Sequence, residues 1–583
     1  MKTLIESLRT NLHDYEQSVE ITKGYDFSMV DVIRRIELYR ASKFESGDWD
    51  SQNNRKYFFN IINPQCGNAT KNIDLDRKNI RVRAERAKDR IKAMLYNDEL
   101  KNWMKKESFG QVLNKISENL PIYGSVVLKK VGKMVMFRPL RYLCFDPAVS
   151  NSPNNFNIQS PYMIDKHNFT ASEIEGMVKK GWDKEEAKRL VDKMRDMDLS
   201  EITVYEQYVE VSNEELDIAG DGYSMSQSYI AFLADKKKKD KSTEAAFFTL
   251  YKRKVDEMPY KKIDFLTIEG RALGLGVSEM LFPLQERRNE MGNQKADSMR
   301  LSSKTVFQTR DKNIEGNLLT ETVNGDILKV NSELTRVDVA ERNLGAFQQE
   351  EANIKQDTRD NANAQEILTG ETMPSRTPFR LAVMQQENAS KLFDFIRENL
   401  GMFLEEVLNE WVLTEFEKDT NKEHIFELYS RDTIKAVMKD HNNYRINEAI
   451  KKYVISSGKF PTEEELVVLE EQLNGNISDS TFVKVVQDYY KNFEKNLDID
   501  ITGEKHDSAQ QVETLNNLIM LIAQNPAVVS DPTIQPLLDQ VLELTGIAPS
   551  VFNTQRAAVS PTIAQQATGV GTPNAGSAPI AQQ

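Results

Sequence analysis

Two stretches of this chain favour helix yet offer almost nothing for a helix to bury. Residues 283–301 read PLQERRNEMGNQKADSMRL, with Leu284, Met291, Ala296 and Met299 as sparse apolar positions. Residues 345–365 read GAFQQEEANIKQDTRDNANAQ. A helix polar nearly all round cannot pack as an ordinary core element; it bridges solvent or lies in a wet assembly of many helices. Between the two, KTVFQTRD, LLTETVNGDILKVN and TRVDV alternate as strands, and Asn324-Gly325 is a strong hairpin turn. Any fold for this chain must accommodate two polar helices flanking a small β-rich insert.

The flanks are more conventional. Before the first polar helix, helices and strands mix. Phe27 to Tyr39 carries Val30, Ile33 and Ile36 near helical spacing. YFFNIINPQCG, from Tyr57, reads as a short apolar run closed by Pro64 and Gly67, and IDLDRKNIRVR alternates. VVLKKVGKMVMFRPL reads as a hairpin turning at Gly132, followed by CFDPAVSNSPNN as a loop. Residues 170–200 read as helix; Glu201 to Val211, Tyr229 to Leu233 and Ala245 to Tyr251 read as strands. The run Lys236 to Lys239 reads as a solvated hairpin tip, because no aromatic interleaves it as in a DNA-binding patch.

Gly370, Pro374 and Pro378 break the pattern after the second polar helix. Thr377 can cap a new helix with Pro378 in its first turn. Ala389, Leu392, Ile396, Leu400, Phe403, Val407 and Trp411 then form a core-facing stripe. A helix from Phe379 to about Glu417 would span roughly 58 Å, with Gly401 a candidate bend. NYRINEAIKKYV and PTEEELVVLEEQL continue as helix, LDIDITG alternates, and stripes at Val512–Ile522 and Leu537–Leu544 predict two short helices. After Phe552 the chain carries one charged residue, Arg556, and no aromatic, a composition that predicts disorder.

Composition narrows the function. The 583 residues predict several domains, and 39% hydrophobic with 28% charged residues fits a folded protein. A formal charge of −13 argues against a surface that grips nucleic acid everywhere. The N-terminus lacks the apolar core of a signal peptide and no long apolar run predicts a membrane span, so an intracellular origin is expected. Cys66 and Cys144 read as small core hydrophobes. His13, His167, His424, His441 and His506 show no zinc-ligand spacing. GxxxxGK[ST], HExxH and GxSxG are absent, and Gly270, Gly274 and Gly276 do not make GxGxxG. Pairs such as Asp74/Asp76 and Asp498/Asp500 each share one strand face, commonly the solvated one. No catalytic, cofactor or metal constellation stands out, and an enzyme is not expected.

The order of parts resembles the portal protein, or head-to-tail connector, of tailed bacteriophages, in its podovirus-type form. GLGVSEMLFPLQERRNEMGNQ looks like the entry to the portal stem, with Gly274, Gly276, Ser278, Pro283, Gln285 and Asn289 where many portals carry such residues. LTGETMPSRTPFRLAVMQQENASKLFDFI is similar to the tunnel loop leading into the long wing helix. YGSVVLKKV with FRPLRYLCFDP resembles the early wing hairpin, and LIAQNPAVVSDPTIQPLLDQVLELTGI the helical C-terminal region of some podovirus-type portals. The likeness covers about residues 25–550 and rests on order more than on any one motif.

The resemblance implies a helix-rich α+β portal fold with wing, stem, clip and crown, assembling as a ring of about twelve copies. The implied divisions are an N-terminal wing at 1–270, a first stem helix region at 271–302, a clip at 303–343 and a second stem helix at 344–367. A tunnel loop at 368–378, the long helix and remaining wing at 379–504, a crown at 505–552 and a disordered tail at 553–583 follow. The tunnel loop holds Thr369, Gly370, Glu371, Thr372, Met373, Pro374, Ser375, Arg376, Thr377 and Pro378, with Arg376 as a DNA contact; Phe379 is its one nearby aromatic. In the stem, Lys295, Arg300, Lys355 and Arg359 would pair with Glu350, Asp357 or Asp360 of neighbours. The short C-terminus implies no long barrel above the crown.

The implied role is passive. The ring would sit at the portal vertex of the virion and assemble in the host cytoplasm with scaffold and major capsid protein. It would pass double-stranded DNA, dock the terminase large subunit, and later bind head-tail adaptor or tail proteins, with no membrane partner and no cofactor. DNA carries a charge about every 1.7 Å, so an acidic or mixed tunnel lets it slide where a basic one would hold it. The competing expectations are another adaptor or minor capsid protein, or a nucleic-acid enzyme without recognised motifs.

Overall fold

The computed structural model describes residues 3–50, 53–73, 80–84, 90–149, 155–234, 245–302, 306–308, 310, 335–337, 344–362, 379–416, 424–427, 431–457, 482–485 and 495–499. Helix and sheet are mixed, as an α+β chain requires. Several expected features lie outside the described residues. They are the Lys236–Lys239 tip, Asn324-Gly325, the whole tunnel loop, the PTEEELVVLEEQL helix, the two C-terminal helices and the tail. The chain divides into two compact units. The larger comprises Met1–Arg81, Leu100–Val412 and Asp498–Ile501; the smaller comprises Val82–Glu99, Leu413–Leu497 and Thr502–Gln583.

The chain opens with α1 (Leu4–Glu16), the hairpin β1 (Val19–Thr22) and β2 (Tyr25–Phe27), and α2 (Met29–Arg40). Thr3 and Glu6 form a reciprocal capping box on α1, and Ser28 caps α2. Next come α3 (Ile62–Ile73), β3 (Ile80–Ala84), α4 (Arg90–Lys106) and α5 (Phe109–Tyr123). Here two expectations fail. Pro64 and Gly67 do not end the apolar run, because both sit inside α3. Asn60 accepts the Asn63 N–H at its start, and Pro64 falls in the first turn, where no N–H is needed. Burial of Ile62, Cys66, Ala69 and Ile73 on one stripe then outweighs the roughly 1 kcal/mol cost of Gly67. Ile73 therefore closes a helix rather than opening a strand.

The Gly132 hairpin is present as β4 (Ser125–Val131) and β5 (Met134–Arg138), with Gly132 at φ +61. β6 (Leu143–Phe145) takes the first residues of the expected loop, and β7 (Tyr162–Thr170) follows. The expected 170–200 helix is two, α6 (Ala171–Val178) and α7 (Lys184–Asp196). Gly181 at φ +102 breaks them, Trp182 turns into the core, and Asp183 caps α7 by accepting the Glu185 and Glu186 N–H groups. Then come β8 (Glu201–Ser212), β9 (Tyr223–Ala234), β10 (Ala245–Lys254) and β11 (Tyr260–Asp264). Strands β10-β9-β8-β7-β6 make an antiparallel five-stranded sheet, and β11-β4-β5 a three-stranded one. α6 and α7 cover the first sheet through Trp182, Leu190, Met194 and Phe248.

The second half begins with the short α8 (Val277–Met280) and α9 (Phe282–Ser302), then the pair β12 (Val306–Gln308) and β13 (Thr335–Val337), then α10 (Leu344–Asn361). The long helix α11 (Phe379–Val407) follows as expected, with Ile396, Leu400, Phe403 and Val407 buried. Its α-helical pairing runs through Gly401; the irregularity is a π-helical segment at Leu408–Leu413. Lys261 on β11 is buried and pairs with Glu406 and with Glu410, 2.7 Å away, at that segment. In the smaller unit β14 (His424–Glu427) pairs with β15 (Phe482–Val485), and α12 (Arg431–Ser457) lies between them in sequence. β16 (Lys495–Ile499) is the expected LDI strand.

Candidate functional site: a polar helical hairpin and its anchorage

The two polar helices form side by side. α9 leads into β12, β12 pairs antiparallel with β13, and β13 leads back into α10, so the helices are the legs of a hairpin. Ion pairs cross between them: Arg287 with Glu350 at 3.3 Å, Arg288 with Glu351 at 2.6 Å, and Lys295 with Glu351 at 3.4 Å. Exposed pairs of this kind contribute about 0.2–1 kcal/mol each, so they tune register rather than hold the legs together. Among the described side chains α10 buries only Ile354 and Thr358, and Ala362 just past its end continues the same narrow stripe. Lys355, Asp357 and Asp360 face solvent, as expected for a helix with little core.

The base of the hairpin is built with unusual care. Gly124 ends α5 at φ +75 and lies against Gly274 and Gly276. A Cβ on Gly124 would fall 2.1 Å from the Gly274 carbonyl oxygen, and one on Gly276 2.5 Å from the Gly124 nitrogen. These are backbone contacts only glycine permits. Arg271 is fully buried beside them, with its guanidinium 4.3 Å from the Phe27 ring centroid. It donates to both carboxylate oxygens of Glu279 and to the Tyr25 hydroxyl. Lys262, also buried, donates to Asp264, which in turn accepts from Ser125. The Gly274 N–H closes the network onto the Ser125 hydroxyl at 2.8 Å.

One turn into α9 the anchorage changes character. Gln285, Asn289 and Asn293 recur every four residues, so their amides form a ladder along one helix face. The ladder grips the backbone of the segment at residues 57–61. Gln285 Oε1 accepts the Ile61 N–H at 2.9 Å and its Nε2 donates to the Phe59 carbonyl at 2.8 Å. Asn289 Oδ1 accepts the Phe59 N–H at 2.8 Å and Asn293 Oδ1 the Tyr57 N–H at 2.8 Å, while Asn293 Nδ2 returns a bond to the Tyr57 carbonyl. Gln285 also donates to Asn289 at 3.1 Å. Gly292 completes the face, since a Cβ there would meet the Phe59 ring at 2.2 Å. The helix side chains do for this segment what a neighbouring strand would do.

The expected stem-entry residues thus gather at one place. Gly274 and Gly276 make the backbone contact, and Ser278 is buried with its hydroxyl 3.3 Å from the Cys66 sulfur. Pro283 lies exposed in the first turn of α9, and Gln285 and Asn289 are buried in the ladder. The expected stem charges do not gather. Within the chain Lys295 meets Glu351 and Glu350 meets Arg287. Arg300 meets Asp297 in its own helix and lies over the Tyr57 ring. Asp360 accepts from Gln356 at 3.0 Å, and Arg359 is half-buried on α10. Sequence reasoning missed Gly292, Asn293, Glu351 and the 57–61 segment. The four-residue amide repeat was a readable signal for Asn293.

A second polar cluster was also missed. Lys129 and Arg138 from the three-stranded sheet reach Asp165 and Glu206 of the five-stranded one. The Lys129 ammonium lies 3.0 Å from Asp165 and 2.5 Å from Glu206, and Arg138 pairs with Asp165. His167 adds its Nε2 at 2.9 Å from Glu206. Burial alone would raise both carboxyls, but hydrogen bonds from His167 and the Lys129 charge win, and both pKa values are held below the ordinary range. Burial works against the His167 cation too, yet its two carboxylate partners raise its pKa overall. Asp165, His167 and Glu206 place ligand atoms within 4.8 Å of one another, as a metal site would need. Lys129 and Arg138 already neutralise both carboxylates, so the donor set does not suit a cation. The cluster is a charged clasp between two sheets, and its signal was Glu206 standing in the apolar phase of β8.

Both cysteines are buried, and burial pushes the Cys144 thiol up to about 11 and raises that of Cys66. Among the described residues no helix is long and apolar enough to cross a membrane. The chain matches no protein-family model and no curated protein.

Proposed function

We propose that this chain is a subunit of a portal ring, the channel at one capsid vertex through which a tailed phage packages and ejects its DNA. The observation that supports the reading is the hairpin of α9 and α10. Two long helices stand side by side with one narrow buried stripe on α10 and polar residues over most of the remaining faces. A lone subunit gains little from such an element, whereas a ring gives each face a use: one toward a wet channel, the others toward neighbours. The anchorage fits the same role. A helix pair that must bear force from moving DNA is better fixed by backbone contacts and buried ion pairs than by surface charges.

In this reading the chain is not an enzyme. The energy of packaging comes from a terminase motor docked beyond β12 and β13, and the same surface later receives adaptor or tail proteins. The ring forms with scaffold and capsid protein in the host cytoplasm and ends in the virion. Native mass spectrometry of the purified chain tests it: one discrete closed species of about twelve copies is expected. Monomers alone at every concentration and in the presence of the cognate scaffold and capsid proteins would overturn it. Metal-dependent DNA cleavage by the pure chain would favour the enzyme reading instead.

A further inference from the structure

β5 is the outer strand of the β11-β4-β5 sheet, so one of its edges has no strand beside it among the described residues. Its pairing with β4 runs without a bulge from Val131↔Met134 to Val127↔Arg138. The register tells which backbone groups turn outward. Lys130 gives its N–H to the Pro259 carbonyl, away from β5. Val135 lies opposite Lys130, and at such a position of an antiparallel pair both residues turn their backbone groups away from each other. Phe137, two residues on, does the same. The N–H and C=O groups of Val135 and Phe137 therefore line the open edge, with no hydrogen-bond partner among the described residues. Edges are usually guarded by a proline, a bulge or an exposed charge on the strand. β5 has none of these: its one charged residue, Arg138, is half-buried and paired with Asp165. The two faces beside the edge differ. Val131, Met134 and Met136 share one face and are exposed. Lys130 shares the other with Val135 and Phe137, and the Lys115 ammonium of α5 lies over the Phe137 ring at 5.9 Å. The Trp103 indole donates to the Lys133 carbonyl at 2.9 Å, which brings the end of α4, with exposed Lys105 and Lys106, to the hairpin tip. Residues 101–141 carry seven lysines and two arginines against two glutamates, in a chain of net charge −13.

We propose that β5 is a docking edge for an extended segment of a partner protein whose side chains alternate between acidic and apolar. The open backbone groups supply the main-chain pairing by which a strand joins a sheet. The alternation follows from the pleat, because successive side chains of an added strand fall on opposite faces. One set meets Met134 and Met136, which are adaptable apolar anchors, and the other meets the lysine face. A second copy adding its own β5 would set two lysine-rich surfaces against each other, so the edge selects a different chain. DNA would answer the lysines but leave the backbone edge and the methionines unused. The inference does not depend on the ring assignment.

The test uses the full-length protein and the fluorescein-labelled peptide Glu-Val-Glu-Val-Glu-Val-amide, read by anisotropy in low salt and by hydrogen exchange. The peptide should bind saturably and slow exchange at the Val135 and Phe137 amides. The same peptide N-methylated at every residue keeps its side chains, loses its donors and should not bind. The double variant Met134→Ser, Met136→Ser should bind the parent peptide about tenfold more weakly, as expected for the loss of two apolar anchors. Both side chains are exposed, so the variant should keep the wild-type circular dichroism. No saturable binding by the wild type, equal binding of the N-methylated peptide, or equal binding by the double variant would overturn the proposal. A short DNA duplex that displaces the peptide and leaves Val135 and Phe137 exchange unchanged would assign the lysines to nucleic acid and overturn it too.

Discussion

Replacing Gln285 by Met tests whether the amide ladder acts as one unit. Methionine keeps the length and shape of the side chain and removes its polar atoms. Gln285 is wholly buried and serves two backbone groups, the Ile61 N–H and the Phe59 carbonyl. Each becomes a buried orphan, at about 1–3 kcal/mol apiece. Some relaxation is certain, so a loss of about 3 kcal/mol in the docking of residues 57–61 is the working figure. Global unfolding is a poor assay, because a chain with two compact units need not unfold in one step. Hydrogen exchange resolved to single amides is the better one. The informative amides are Tyr57, whose acceptor Asn293 is untouched by the change, and Phe59, whose acceptor Asn289 stays in place and loses only the hydrogen bond from Gln285 Nε2. If the segment docks cooperatively, both should exchange roughly 100-fold faster, since about 1.4 kcal/mol is tenfold. Asn293→Ala, at the half-exposed end where water can substitute, should give only about a fivefold change. Unchanged exchange at Tyr57 and Phe59 in Gln285→Met would refute the unit and leave three independent bonds.

Other outcomes follow from the same contacts. Gly124→Ala combines an unfavourable φ of +75 with a Cβ 2.1 Å from a carbonyl oxygen, and should give little soluble protein in an expression and thermal-melt comparison. Lys129→Met leaves two buried carboxylates short of counter-charge and should cost about 3–5 kcal/mol, read as a large fall in melting temperature. His167→Gln should show a pH-dependent penalty. The His167 pKa is raised by folding, so its contribution is complete below about pH 6.5 and fades as pH climbs through the raised value. The melting-temperature gap to wild type should then be wider at pH 6 than at pH 9; an equal gap would contradict the clasp. Native protein should react with neither thiol in an aromatic-disulfide assay at neutral pH, and denatured protein with both.

Much of the local structure was legible because it follows from periodicity. The Gly132 hairpin, the α2 stripe and the long α11 stripe each repeat at the spacing of their element. The misreadings came where one strong residue was allowed to speak for a segment. Pro64 was read as a stop when its position in the first turn made it harmless. Gly181 was passed over inside a helical run, although Trp182 and Asp183 after it give the chain a reason to turn. The stem-entry glycines were legible as a group but not their cause, because the partner that demands them, Gly124, is distant in sequence. The ladder and the sheet-to-sheet clasp were missed for the same reason. Each is made of polar residues whose partners come from another part of the chain; the 285/289/293 repeat and Glu206 in the apolar phase of its strand mark one side of each contact, but no spacing within a segment names the partner.

Electron microscopy of the purified protein, averaged in views down the particle axis, tests the central claim most directly. The account predicts a closed ring of about twelve subunits with a central hole wide enough for duplex DNA, and α9 and α10 of each subunit around that hole. A compact particle without a channel, or a ring that turns the α9–α10 hairpins away from the hole, would contradict it.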